Sequence, residues 1–163
     1  MEYEYFYQTY NVSRETFSKL EVYVALLEKW QRKINLVSPQ TLANAGTRHI
    51  EDSVQMSLHL HDKNANIADI GSGAGFPGLV LAVMGYPFIT LIESDMRKCM
   101  FLKEVARQTD TPCTILNTRI ENVDTTYDVI TARALADVDQ LLTLTRNMRR
   151  RETKLLFLKG LLD

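Results

Sequence analysis

The sequence predicts an α/β fold: a parallel sheet covered by helices on both faces, preceded by a helical extension. Two patterns predict it. Through the first third of the chain apolar residues recur at three- and four-residue steps, and after Asn64 they gather into short runs separated by helical stretches. The first of those runs ends in a cluster of glycines. The boundary between the two patterns divides the chain into an extension, residues 1–62, and a core, residues 63–163. With 163 residues, 45% of them hydrophobic, the chain is long enough to bury a core without metal or disulfides.

The elements follow in order. The segment Tyr3, Tyr5, Phe6, Tyr7 and Tyr10 is aromatic and is expected to pack on the domain; stacking on nucleic-acid bases is the other reading. Phe17, Leu20, Tyr23, Val24, Leu27, Trp30 and Ile34 mark one face of an amphipathic helix over 13–34, with Ser13 as N-cap and Pro39 beyond its end. A second helix is expected over 47–60, with Ile50, Val54 and Leu58 on one face. Residues 67–70, 88–93, 113–117, 127–132 and 155–159 read as buried strands, and 78–84, 95–108 and 137–147 as the helices between them. Alternation of this kind implies parallel strands joined by right-handed crossovers. Ligands of such sheets bind outside the carboxyl ends of the strands.

The strongest local signal lies there, in Asp69-Ile70-Gly71-Ser72-Gly73-Ala74-Gly75-Phe76-Pro77-Gly78. Glycines at alternate positions let a ligand lie against the backbone, and a following helix offers unpaired N–H groups. From Gly73 the segment matches the dinucleotide pattern GxGxxG, but that match starts two residues late. From Gly71, at the strand end, the third glycine would fall on Phe76. Glu93 closes the second strand, 22 residues after Gly71, where an acid can accept hydrogen bonds from ribose hydroxyls of an adenosine-containing ligand.

Composition excludes several classes. The longest strictly apolar run, 79–84, is far short of the ~20 residues that a membrane-spanning helix needs. The start carries two acids and no basic segment, so no secretory or transit signal is expected. Cys99 and Cys113 form no CxxC pattern and imply a reduced, cytoplasmic setting. His59 and His61 lack a third ligand in view, and no metal is expected. Lys and Arg number 19 against 20 Asp and Glu, a net charge of −1, which argues against a broadly basic nucleic-acid coat but leaves room for a local patch. The arginines within 146–151 could contact RNA phosphate or form a solvated loop.

A more specific resemblance rests on a series of motifs. Asp69 with the glycines is similar to the first motif of class I S-adenosylmethionine-dependent methyltransferases, whose sheet is Rossmann-like. Trp30 with Asn35-Leu36, Arg48-His49-Ile50-Glu51-Asp52-Ser53, the glycine segment through Gly78, Lys98 with Phe101-Leu102, Arg119-Ile120-Glu121, Thr131-Ala132-Arg133-Ala134 and Leu158-Lys159-Gly160 resemble, in order, the bacterial ribosomal RNA small-subunit methyltransferase G family. The family is also called glucose-inhibited division protein B. Its members make 7-methylguanosine in the 530-loop region of 16S ribosomal RNA. Beside the family the chain is short, so the resemblance implies a sheet lacking its last two strands. The strand over 155–159 would then be an exposed edge and a route to self-association.

The resemblance also implies roles. S-adenosyl-L-methionine would be the cofactor, bound by Gly71, Gly73 and Phe76, with Glu93 on its ribose, the Ile120 backbone and Glu121 on its adenine, and Arg133 lining the site. Asn35, Arg48, His49, Arg119 and Lys159 would position 16S ribosomal RNA, free or in the small subunit, or its guanine. Read without the resemblance, Glu121 is equally a first-turn helix acid, His49 a structural histidine and Arg48 with Asp52 a helix-surface ion pair. Guanine N7 carries a lone pair and no proton, so it can attack a sulfonium methyl without a general base; proximity and orientation supply much of the acceleration. Two alternatives are kept: an NAD(P)-binding oxidoreductase, disfavoured by the glycine register and Pro77, and a truncated RNA-binding relative without turnover.

Overall fold

A computed structural model describes residues 1–36, 42–133 and 137–158. Five parallel strands form one sheet in the order β3-β2-β1-β4-β5: β1 (Ile67–Ile70), β2 (Ile89–Glu93), β3 (Thr114–Asn117), β4 (Tyr127–Arg133) and β5 (Arg149–Leu158). The helices are α1 (Tyr3–Tyr10), α2 (Arg14–Gln31), α3 (Leu42–Met56), α4 (Gly78–Val83), α5 (Met96–Gln108) and α6 (Val138–Leu144). The chain winds outward from β1 through β2 to β3 and then crosses back to β4 and β5. The direction of winding therefore reverses between β1 and β4, which opens a crevice at their carboxyl ends. All four residues of β1 are buried, as the central strand of a doubly covered sheet must be.

The aromatic segment expected to pack on the domain does so as a helix, Tyr3–Tyr10. Tyr3, Phe6 and Tyr10 recur at helical spacing, and Asn11 in the left-handed conformation (φ 57°) ends the helix. Phe6 is buried against Phe17 of α2 at 5.6 Å, and the Tyr10 hydroxyl donates to Glu51 of α3 at 2.6 Å. Ser13 caps α2 by accepting the Thr16 N–H at 3.1 Å, as its side-chain type favours. Phe17, Leu20, Tyr23, Leu26 and Leu27 form the buried face of α2. The helix α3 starts at Leu42, five residues before the expected boundary, because residues 42–46 belong to the helix without continuing the apolar stripe that traces it. Side chains of α1, α2 and α3 join one core cluster with β1, β2, α4 and α5.

The last strand starts at Arg149, six residues before the expected boundary. Its polar first half is satisfied: the Arg149 guanidinium donates to the Leu142 carbonyl at 2.8 Å, and Arg150 pairs with Asp128 and Glu152. With those charges matched, hydrophilic residues extend a strand that alternation of apolar residues alone would not trace.

Helix α4 lies against the sheet through Gly78. A Cβ there would stand 2.4 Å from the Cβ of Asp69 and 2.6 Å from Leu91 Cδ2. We expect Gly78→Ala to lower the unfolding free energy by about 1 to 3 kcal/mol, as overpacking does, measured by urea denaturation; an unchanged midpoint would show that α4 is not pressed on β1.

Candidate functional site

The segment after β1 folds as a turn that carries Gly71, Gly73 and Gly75 at positive φ and leads into α4. A Cβ at Gly71 would meet nothing within 4 Å, and at Gly73 only the Gly71 carbonyl at 3.8 Å. These two positions therefore border open space. Gly75 is different. A Cβ there would lie 2.2 Å from the Tyr23 hydroxyl, so glycine is required both by φ 97° and by the approach of that side chain.

Tyr23, fully buried on α2, donates its hydroxyl to the Ala74 carbonyl at 2.5 Å and stacks on Phe76 with ring centroids 5.4 Å apart and planes 5° from parallel. On Phe76 also lies His49 of α3, at 5.1 Å. The His49 Nε2 is 3.1 Å from an Arg133 guanidinium nitrogen. Guanidinium only donates, so Nε2 accepts and this imidazole is neutral at that atom. A column Tyr23, Phe76, His49, Arg133 thus runs from the extension, through the glycine turn, to the carboxyl end of β4. Tyr23 is the residue that the sequence reading did not place in the site. Its signal was a tyrosine on a wholly apolar helix face, where the hydroxyl must find a partner.

Glu93 is buried, not a surface acid. One carboxylate oxygen accepts the Gly73 N–H and the other the Asp95 N–H, both at 2.8 Å. It ties the glycine turn to the loop after β2, and each oxygen retains acceptor capacity for another donor.

Asp69 is wholly buried; Oδ1 accepts the Thr131 hydroxyl of β4 at 2.7 Å, and Oδ2 has no hydrogen-bond partner among the described residues. Burial pushes its carboxyl up to about 6, the Thr131 hydroxyl holding it back and the nearby Glu93 charge adding to the rise. Partial burial likewise raises Asp52, opposed by the charges of Arg48 and Arg133 and reinforced by Glu51.

The remaining expected residues lie on several different elements. Ile120 and Glu121 lie in a single 3-10 turn after β3, so the dipole of an α-helix does not account for the acid. Glu121 and Arg119 are exposed and stand 3.7 Å apart in a loose ion pair. Arg48 is exposed on α3 and, among the described residues, forms no ion pair with Asp52. Asn35 is exposed and lines a cleft of about 320 Å³ with Arg32, Lys33, Asp95, Arg97 and Lys98. Lys159 lies outside the described residues. His59 and His61 are exposed, and among the described residues no group of three His, Cys, Asp or Glu could hold a metal. No helix among the described residues is long and apolar enough to cross a membrane.

The fold is similar to that of solved methyltransferases. A methyltransferase from Thiobacillus denitrificans, described as S-adenosylmethionine-dependent and solved with S-adenosyl-L-homocysteine, superposes with a TM-score of 0.58 at 17% identity, over 81% of this chain and 52% of its own. A ribosomal protein L11 methylase from Lactobacillus delbrueckii gives 0.57 at 18% identity, over 68% and 58%. The chain therefore spans little more than half of each, and the likeness establishes the class I Rossmann-like methyltransferase fold. The sequence decides the family. The family profile described as rRNA small subunit methyltransferase G matches residues 16–163. The chain belongs to that family. Proteins named ribosomal RNA small subunit methyltransferase G are 53% identical over 150 residues in Paramagnetospirillum magneticum, covering 91% of this chain and 73% of the relative, and 47% identical over 158 residues in Orientia tsutsugamushi, covering 97% and 79%.

Within this methyltransferase G chain, the buried Asp69 has a consequence for pH. Its carboxyl in the folded state titrates near 6, against 3.8 ordinarily, so the folded state holds the proton more tightly. That contribution to stability is complete below about pH 4 and is lost as pH rises through 6, about 3 kcal/mol in all. Asp69→Asn removes the titration. Urea unfolding from pH 4 to 7 should therefore show the wild type losing stability relative to Asp69→Asn; parallel profiles would contradict the assignment.

Proposed function

We propose that this chain transfers the methyl group of S-adenosyl-L-methionine to N7 of a guanine in the 530-loop region of 16S ribosomal RNA. Membership of the methyltransferase G family supports the reaction. One structural observation supports the cofactor best: the open side of Gly71 and Gly73 stands beside Glu93, a buried acid with acceptor capacity to spare, at the reversal point of the sheet. The bound cofactor would supply an electrophilic methyl on a sulfonium.

In this reading Gly71 and Gly73 give the ligand backbone without side chains, and Glu93 accepts from ribose hydroxyls while keeping its bonds to Gly73 and Asp95. The Ile120 backbone and Glu121 border the adenine. Phe76, stacked with both Tyr23 and His49, supports the turn. His49 acts on the guanidinium of Arg133, which lines the crevice after β4. Asn35, Arg48, Arg119 and Lys159 serve the RNA. The target nitrogen needs no base to deprotonate it, so the work of these residues is placement: holding guanine N7 in line with the methyl and excluding water.

The same reading treats residues 1–62 as an extension serving the core of 63–163, places the protein in the cytoplasm and makes the outer edge of β5, which pairs with no strand among the described residues, a surface for self-association. Size-exclusion chromatography that gives a stable monomer across concentration would remove the last point.

The reaction is tested on small-subunit RNA that lacks the mark, with 7-methylguanosine mapped by chemical cleavage. Methylation within the 530-loop region is expected; no transfer, with calorimetric binding of NADH in place of S-adenosyl-L-homocysteine, would overturn the reading. Arg133→Ala should weaken S-adenosyl-L-homocysteine binding by about 10- to 100-fold, the scale of a lost hydrogen bond to a charged group. Unchanged affinity would remove Arg133 from the site.

A further inference from the structure

Two basic clusters stand out in a chain whose net charge is −1, and the structure treats them differently. In the stretch 146–151, Arg149 spends its guanidinium on the Leu142 carbonyl and the Thr145 hydroxyl, and Arg150 is paired with Asp128 and Glu152. That cluster is half consumed by the fold.

The second cluster comes from distant parts of the sequence. Arg32 and Lys33, at the end of α2, face Arg97 and Lys98, at the start of α5, across the cleft of about 320 Å³ that Asn35 also lines. Among the described residues Arg32, Lys33 and Lys98 form no ion pair, and Arg97 stands 3.8 Å from Asp95. Asp95 is the one acid lining the cleft among the described residues and is already engaged: its Oδ1 caps α5 by accepting the N–H groups of Arg97 at 2.8 Å and Lys98 at 3.4 Å. Four cations therefore converge on a polar cleft with one committed carboxylate. The cleft also adjoins the crevice, because Glu93 bonds the N–H of both Asp95 and Gly73.

We infer that this cleft is a binding site for the phosphodiester backbone of the RNA substrate, formed jointly by the extension and the core, which seats the strand beside the glycine turn. The inference rests on the proposed function and adds the surface through which RNA is held. Phosphate contacts fix register and orientation, not sequence, and the exposed Arg32 and Lys33 at one helix end, facing Arg97 and the half-buried Lys98 at the other, suit that task. Binding of this kind releases counterions, so each phosphate neutralised contributes about 0.7 to the slope of log affinity against log salt for a single strand.

The test measures binding of a fluorescein-labelled RNA fragment spanning the 530-loop region to the full chain by anisotropy, between about 50 and 200 mM salt. Three proteins are compared: wild type, Arg32→Glu with Lys33→Glu, and Arg146→Glu with Arg151→Glu, which changes net charge equally at the other cluster. The first pair should weaken RNA binding about tenfold or more and reduce the salt slope by about 1.4, with S-adenosyl-L-homocysteine affinity unchanged. The second pair should stay within about twofold of wild type. Wild-type RNA affinity in Arg32→Glu with Lys33→Glu, or equal losses in both pairs, would overturn the cleft. Methyl transfer is read on the same wild-type sample: a chain that binds RNA through the cleft without transfer contradicts the proposed function and leaves the cleft standing, while a chain that does not bind RNA overturns both.

Discussion

Tyr23 reaches from the second helix to the carbonyl of Ala74, and it can do so because residue 75 has no Cβ. The rest of the site follows from that approach. The hydroxyl fixes the middle of the glycine turn, the ring supports Phe76, and His49 stacks on Phe76 as well. Arg133 then meets His49 at the carboxyl end of β4. A turn of three glycines at positive φ has few side chains of its own to hold it, and its rigidity is supplied by helices that precede the sheet in the chain. The extension is in this sense part of the site's foundation, and the shared core cluster of α1, α2, α3 with β1 and β2 is the packing that holds Tyr23 in place.

Beneath the turn the fold accepts a cost. Asp69 is buried with one oxygen unbonded, pressed by Gly78 on one side and held by Thr131 on the other. An apolar residue would be cheaper at a central strand position, as its neighbours Ile67, Ala68 and Ile70 illustrate. A polar group left incompletely satisfied in a core is most often found where function requires it. Glu93 shows the other solution: buried too, but with both oxygens engaged by backbone N–H groups.

Much of this was legible in the residues. The strands β1, β2 and β4 and the helices α2 and α5 follow from apolar periodicity because those patterns reflect burial directly, and Ser13 marks the start of α2; β3 is present but, at the sheet's edge, has no buried residue, contrary to the buried strand expected there. What failed to show was structure whose stability comes from elsewhere. The first half of β5 is polar and is held by Arg150 with Asp128 and Glu152, partners that no local pattern reveals. The helix α1 reads as a run of aromatics until Glu51, 41 residues beyond Tyr10, supplies an acceptor. In the turn after β1, the glycines and Glu93 stand out through their spacing, whereas Tyr23 looks like one more residue of an apolar face. The contacts of His49 with Phe76 and Arg133 are set by tertiary packing and leave no trace in local spacing.

The claim that the extension holds the cofactor turn in its binding shape is tested most directly by Tyr23→Phe, which keeps the stacked ring and deletes only the hydroxyl. Calorimetric affinity for S-adenosyl-L-homocysteine is measured alongside circular dichroism, which reports whether the fold is intact. The account predicts a folded protein whose affinity falls about 2- to 10-fold, the worth of one hydrogen bond. A folded protein that binds with wild-type affinity would contradict it and reduce Tyr23 to a filler of the core.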